Sequence, residues 1–126
     1  MKQKILSNHA PKPIGPYSQA IKSGQMIFIS GQIAINAKTN VLVNDNIEQE
    51  TRMVMENMKN ILNKCHCTFE NIVKCTIFLS KMELFQSVNK VYGSYFNEPY
   101  PARETVEVSN LPKNVNIEIS AIAISK

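Results

Sequence analysis

Arginine is scarce in this chain of 126 residues: two of its fourteen cationic side chains are arginines, Arg52 and Arg103, and the rest are lysines. Arg103 follows the turn Pro101-Ala102 and opens a strand-like run. A guanidinium offers a planar fork of donors that binds a carboxylate or phosphate through two parallel hydrogen bonds, which an ammonium cannot do. Arg103 is therefore a candidate anion-binding residue, and a surface ion pair explains it equally well at this point.

Long hydrophobic runs are also absent. No apolar stretch has the length needed to span a bilayer, and the segment from Met1 to His9 lacks the apolar core of a secretory signal. Hydrophobic residues make up 44% of the chain and charged residues 19%, which excludes disordered and collagen-like classes. No linker or repeat divides the sequence, so we expect one domain over residues 1–126, located in the cytoplasm.

The three cysteines do not form a disulfide framework, because their number is odd and two of them are separated only by His66. The segment Cys65-His66-Cys67 resembles half of a zinc site, but Cys75 and His9 do not supply a second closely spaced pair of ligands. We expect no bound metal. A buried thiol at a helix end is the simpler interpretation.

The formal net charge of +4 permits weak attraction to nucleic acid or to anionic metabolites. However, the lysines are scattered from Lys2 to Lys126, and no basic strip with interleaved aromatic residues occurs. A nucleic-acid partner is therefore not expected.

Periodicity and turn residues predict an alternation of strands and helices. The hairpin Ser18–Ser23/Met26–Ser30 turns at Gly24-Gln25, and the sequence Ser30-Gly31-Gln32 at its end indicates a bulge or, less commonly, the close approach of another backbone or a ligand. The remaining predicted elements are a helix over 47–65 capped by Asp45 or Asn46, a strand over 72–79, a helix over 82–96, and strands over 103–109 and 115–125.

This order predicts an α+β domain with both helices on one face of a mixed sheet. In the strand over 72–79, alternation assigns Val73, Cys75, Ile77 and Leu79 to the core. In the last strand the second set of alternating residues ends in Ile122 and Ile124, which is too apolar to face water. Another subunit is expected to cover that face of the sheet.

Five short motifs occur in the order and spacing of one known family: Gly15-Pro16-Tyr17, Ser30-Gly31-Gln32, Val88-Asn89, Pro101-Ala102-Arg103 and Ile117-Glu118-Ile119. With them the chain resembles, over nearly its whole length, the RidA family, also called the YjgF/YER057c/UK114 family of reactive-intermediate deaminases. The resemblance implies a chorismate-mutase-like subunit, assembled as a homotrimer with active sites between subunits. It also implies hydrolysis of 2-iminobutanoate and 2-iminopropanoate to 2-oxo acids and ammonia, without a cofactor.

The resemblance also implies a role for each motif residue. Arg103 would bind the substrate carboxylate, backbone groups of Thr105 would hold the same end, and Glu118 would orient water and transfer a proton. Tyr17 would contribute a phenolic hydrogen bond from a neighbouring subunit, while Ser30, Gly31 and Asn89 would line the pocket. From the residues alone, Asn89 is interpreted as an exposed residue on a helix surface.

Two positions depart from the family pattern. Glu104 stands where most members have a small residue, and its carboxylate would reduce activity if it paired with Arg103 or repelled an anionic substrate. Thr105 replaces a cysteine, which a backbone contact tolerates. Two alternative functions stay open: an endoribonuclease that inhibits translation, and a trimer that binds small carboxylates without turning them over.

Overall fold

The computed structural model describes all 126 residues and contains one six-stranded sheet with two α-helices. The strands are β1 Lys2–Ile5, β2 Ala20–Ser23, β3 Met26–Gln32, β4 Ile72–Leu79, β5 Ala102–Glu107 and β6 Ile117–Ile124. The helices are α1 Ile47–Lys64 and α2 Phe85–Gly93. Across the sheet the order is β1-β2-β3-β6-β4-β5, and only β4 and β5 run parallel. The predicted α+β class with a mixed sheet is confirmed.

Helix α1 supplies one side of the hydrophobic core. The side chain of Asn46 caps it by accepting a hydrogen bond from the backbone N–H of Gln49 at 2.8 Å. Its apolar residues Val54, Met58 and Ile61 are fully buried in the core that α1 shares with the sheet. Neither α1 nor α2 is long and apolar enough to cross a membrane.

The structure corrects the predicted core face of β4. Val73 was assigned to the core but is 47% exposed, because the pairing of β4 with β6 shifts register between Ile72 and Lys74. The irregularity lets both Ile72 and Cys75 face inward, as a bulge does. The second helix is also shorter than predicted, since residues Met82–Leu84 form a 3-10 turn before α2.

The two closing strands, β5 and β6, are not neighbours in the sheet. Strand β6 lies between β3 and β4, whereas β5 forms the edge of the sheet beside β4. Strand β1, which was not predicted, forms the other edge. Its three exposed residues, Lys2, Gln3 and Lys4, give no apolar pattern that would have marked it.

The helices cover one face of the sheet, and we call the other face the open face. Along β6 the residues Ile117, Ile119, Ala121 and Ala123 are buried under the helices, while the alternate residues, including Ile122, are only half-buried. Other large apolar side chains of β3 and β5 are exposed on the open face: Met26, Phe28 and Val106. The predicted covering of this face by another subunit stays a prediction.

A buried carboxylate on α1 fixes the start of β6. The side chain of Glu50 is fully buried and accepts hydrogen bonds from the backbone N–H of Asn116 at 2.8 Å and from its Nδ2 at 2.9 Å. Asn116 in turn accepts a bond from the Ser80 hydroxyl at 3.1 Å. This network sets the position of the chain two residues before Glu118.

Replacing Glu50 with alanine is expected to lower the free energy of unfolding by about 2 kcal/mol, because the two partly buried donors of Asn116 lose their acceptor. Chemical denaturation measures the change. Replacing Glu48, which lies exposed in the same helical turn, is the matched control and should change stability by less than about 0.5 kcal/mol. Equal effects of the two substitutions would show that the Asn116 contacts do not stabilise the fold.

Candidate active site

Arg103 lies on the helix-covered face of the sheet, because β5 pairs it with the buried Cys75 of β4. Its guanidinium carbon is 5.4 Å from the centre of the Phe85 ring and 5.0 Å from that of Tyr92. Its Nη1 donates a hydrogen bond to Oδ1 of Asn89 at 2.5 Å. Arg103 forms no ion pair within the chain. Its charge is therefore available to an external anion.

An open cleft of about 490 Å³ surrounds this guanidinium, and we call it the arginine cleft. It is lined by Asn89, Tyr92, Gly93, Tyr100, Pro101 and Arg103. Thr105 lies two residues further along β5, on the same face as Arg103. The Thr105 hydroxyl is buried without a hydrogen-bond partner.

A second cleft, of about 360 Å³, contains Glu118, and we call it the glutamate cleft. Tyr17, Ser30 and Gly31 also line it. The loop before β2 presents Tyr17, whose side chain is half-exposed, and the backbone N–H of Tyr17 bonds the carbonyl of Gly15 at 2.9 Å. The Ser30 hydroxyl donates to the carbonyl of Ser18 at 2.6 Å, which ties β3 to that loop.

Glu118 has an unusual electrostatic environment for a carboxylate. It is half-buried and has no ion-pair or hydrogen-bond partner within the chain. Burial therefore raises its pKa above the ordinary value for a glutamate. A carboxyl group of this kind accepts and returns protons more readily near neutral pH than an exposed one does.

Gly31 leaves the space that the Glu118 side chain occupies. Pairing of β3 with β6 shifts register between Ile29 and Gln32, and a Cβ on Gly31 would overlap the Glu118 carboxyl group. The bulge expected at this glycine is confirmed, and the group that comes close to it is the Glu118 side chain rather than another backbone or a ligand.

Replacing Gly31 with alanine is expected to displace the Glu118 carboxylate, and so to lower about 10-fold or more the kcat of the imine hydrolysis that the family resemblance implies. Steady-state kinetics with 2-iminobutanoate measures the loss. The same substitution in a Glu118→Gln background is the control, and there it should add almost nothing. A loss of equal size in both backgrounds would mean that Gly31 acts independently of Glu118.

The two clefts lie on opposite faces of the sheet. Glu118 pairs with Phe78 across β4, and both side chains project from the open face, whereas Arg103 pairs with Cys75 on the helix-covered face. One chain thus brings Arg103 together with Asn89, and Glu118 together with Tyr17, Ser30 and Gly31. It does not bring Arg103 and Glu118 together.

Glu104 does not pair with Arg103. It projects from the open face, where its carboxylate lies 3.2 Å from Nζ of Lys74 and accepts a bond from the Thr76 hydroxyl at 3.0 Å. The hydrogen bonds from Lys74 and Thr76 lower its pKa. The possible neutralisation of Arg103 by its neighbour therefore does not occur within the chain.

Other candidates contribute little to either cleft. Cys65 and Cys67 are buried at the end of α1 while His66 is exposed, and no group of three or more metal-binding side chains comes together. The sequence did not identify Phe85 and Tyr92 as contacts of Arg103. Their spacing from Asn89, four and three residues, was the signal that places all three on one helix face.

Comparison with known proteins identifies the family of this chain. Residues 7–125 match the family model described as Endoribonuclease L-PSP. The chain is 51% identical to a RutC family protein of Pyrococcus horikoshii, with 98% of each chain covered. It is 39% identical to a protein of Dermatophagoides farinae named 2-iminobutanoate/2-iminopropanoate deaminase, over 98% of this chain and 96% of that one.

Solved structures give the same assignment. A Rid family protein from Yersinia pestis, described as of unknown function, superposes with a TM-score of 0.96 at 44% identity, covering 98% of this chain and 99% of that one. Escherichia coli TdcF with bound serine superposes with a TM-score of 0.93 at 35% identity, with the same coverage. Sequence match and fold together show that this chain belongs to the RidA family.

Proposed function

We propose that the protein hydrolyses reactive 2-imino acids, such as 2-iminobutanoate and 2-iminopropanoate, to 2-oxo acids and ammonia. The observation that carries the proposal is the pair of incomplete clefts: Arg103 is a cation without an anion, and Glu118 is a carboxylate without a donor. The arginine cleft has a guanidinium but no carboxylate, and the glutamate cleft has a carboxylate but no guanidinium. The active site would form where the arginine cleft of one copy meets the glutamate cleft of another.

Arg103 would bind the substrate carboxylate. One of its five N–H groups is used by Asn89, and the others are free to form a two-pronged contact with the two carboxylate oxygens. Each charge-assisted bond of this kind contributes about 1.5 to 3 kcal/mol. This contact would fix the C=N carbon at a constant distance from the catalytic carboxylate.

Glu118 would act as the proton carrier. The imine would enter protonated on nitrogen, as C=NH2+. Water adds to its electrophilic carbon while one water proton passes to the Glu118 carboxylate, and the nitrogen becomes a neutral amine. The Glu118 carboxyl group then returns that proton to the nitrogen. The C–N bond breaks, the hydroxyl proton passes back to the Glu118 carboxylate and from there to the departing ammonia, and the 2-oxo acid and ammonium remain. The raised pKa of Glu118 suits a group that must both take up and release a proton.

The other motif residues would surround these two. Tyr17 would donate its phenolic hydrogen to the substrate, and Ser30 and Gly31 would form the wall beside Glu118. On the arginine side, backbone groups of Thr105 would hold the carboxylate and Asn89 would hold Arg103. No step requires a metal or an organic cofactor, because an imine already reacts with water and needs mainly positioning.

A homotrimer with three sites between subunits would satisfy this geometry. The open face carries exposed apolar side chains, among them Phe28 and Val106, and burying them against other copies would place the glutamate cleft at a subunit boundary. Closed rotational symmetry then repeats the same pair of clefts at every interface.

Two other functions are weighed against this one. The name of the matching family model, Endoribonuclease L-PSP, keeps RNA cleavage as a candidate; salt-dependent RNA cleavage that a Glu118→Gln substitution abolishes would support it. Binding without turnover is favoured by the serine bound to TdcF. Binding of 2-oxobutanoate without any imine hydrolysis would support that alternative.

The test generates 2-iminobutanoate with a threonine dehydratase and follows its disappearance. The proposal predicts clear acceleration over the uncatalysed rate. No acceleration by the purified protein would overturn it.

A further inference from the structure

One face of α2 is directed at Arg103. Phe85, Asn89 and Tyr92 are four and three residues apart, so an α-helix of 3.6 residues per turn places them in one row. The two rings contact the guanidinium, with their centres 5.4 and 5.0 Å from its central carbon, and the amide oxygen between them accepts its Nη1–H. We call these three residues the cradle.

The three contacts restrict different motions of the guanidinium. An aromatic ring attracts a cation over its face, and two rings limit how the planar group can tilt. The bond to Asn89 fixes its rotation, because one N–H must point at the amide oxygen. The remaining N–H groups are then held in one direction. No carboxylate of the chain takes part, so the orientation is set without neutralising the charge.

The Tyr92 hydroxyl is not part of this arrangement. Tyr92 is 4% exposed, and its hydroxyl is buried without a hydrogen-bond partner. Burial and the neighbouring Cys75 thiol raise its pKa, so the phenol stays neutral. The ring and the hydroxyl can therefore be tested separately, since phenylalanine keeps the ring alone.

We propose that Phe85 and Tyr92, together with Asn89, are positioning residues that orient Arg103 for carboxylate binding. The proposal rests on the proposed function only to the extent that Arg103 binds a substrate carboxylate. It adds that affinity for that carboxylate depends on two aromatic rings that need not touch the substrate.

The experiment measures 2-oxobutanoate binding by calorimetry and thermal unfolding for the wild type and four variants. Phe85→Leu and Tyr92→Leu should each raise Kd about 3- to 10-fold, and Tyr92→Phe, which keeps the ring, should raise Kd less than Tyr92→Leu does. Phe69→Leu is the matched control: Phe69 packs against Tyr95 and Phe96, with ring centres 5.2 and 5.3 Å away, and is not in contact with the Arg103 guanidinium. It should lower the unfolding temperature without changing Kd.

The outcomes separate this proposal from the proposed function. An unchanged Kd in Phe85→Leu, or an equal rise of Kd in Phe69→Leu, would overturn the proposal that the cradle orients Arg103. Phe85 is only half-buried, so Phe85→Leu remains informative if Tyr92→Leu does not fold. A wild-type protein that does not bind 2-oxobutanoate would also overturn it. A protein that binds 2-oxobutanoate with the expected dependence on Phe85 but does not hydrolyse imines would leave the cradle standing and end the deaminase proposal.

Discussion

Replacing Arg103 with alanine is expected to lower kcat/KM for 2-iminobutanoate about 100-fold. The substitution removes two charge-assisted hydrogen bonds to the substrate carboxylate, each contributing about 1.5 to 3 kcal/mol net of hydration, so that a loss of about 100-fold is the lower end of the expected range. It also removes the group that fixes the distance between the imine carbon and the catalytic carboxylate. Most of the loss should therefore appear as a higher KM, with a smaller fall in kcat.

Arg52→Ala is the matched control for this prediction, because Arg52 is the other arginine and lies exposed on α1. It should leave kcat/KM unchanged. Arg103→Lys should fall between the wild type and Arg103→Ala, because a lysine keeps the charge but loses the two-pronged contact. Full activity in Arg103→Ala would show that Arg103 does not bind the substrate carboxylate.

Replacing Glu118 with glutamine is expected to lower kcat about 100- to 10,000-fold, the range that general acid–base catalysis supplies. Glutamine has nearly the same shape but cannot carry a proton. Binding of 2-oxobutanoate, measured by calorimetry, should therefore change little. Glu48→Gln, on the exposed surface of α1, is the control and should retain full activity.

The Glu118→Gln substitution should lower activity but raise stability. Because burial raises the pKa of this carboxyl in the folded chain, its charged form is disfavoured by folding. The protonated form is not disfavoured by folding. The destabilisation is therefore absent below the pKa that Glu118 has in the unfolded chain, and it develops as the pH rises through the pKa that Glu118 has in the folded chain. Glu118→Gln should thus raise the unfolding temperature at neutral pH, and the gain should vanish in acid. A lower unfolding temperature at neutral pH would contradict this.

Local patterns predicted much of the fold. The amphipathic row from Ile47 to Cys65 identified α1 to within one residue of its end, and alternation identified β4 at its true bounds. Features that depend on pairing between distant strands were not predictable. The bulge that exposes Val73, the insertion of β6 between β3 and β4, and the edge strand β1 all arise from contacts that no local spacing encodes.

The candidate site was likewise predictable only in part from the sequence. Motifs identified Arg103, Glu118 and their neighbours as chemical groups, but not the faces from which they project. Those faces follow from the partners Cys75 and Phe78 on β4, which sequence spacing does not reveal. The cradle was not predicted because Phe85 and Tyr92 have the spacing of ordinary core residues. The sequence does not distinguish an aromatic ring that contacts a guanidinium from one that packs against an aliphatic side chain.

Mixing two impaired variants tests most directly whether one site is built from two copies. Arg103→Ala and Glu118→Gln chains, unfolded together in equal amounts, refolded and assayed at a substrate concentration well below KM, should recover about a quarter of wild-type imine hydrolysis, because about one interface in four then joins an intact arginine cleft to an intact glutamate cleft. Each variant refolded alone should keep its own rate, about 100-fold or more below that of the wild type. A mixture no more active than the separate variants would contradict the assembly of the active site from two chains.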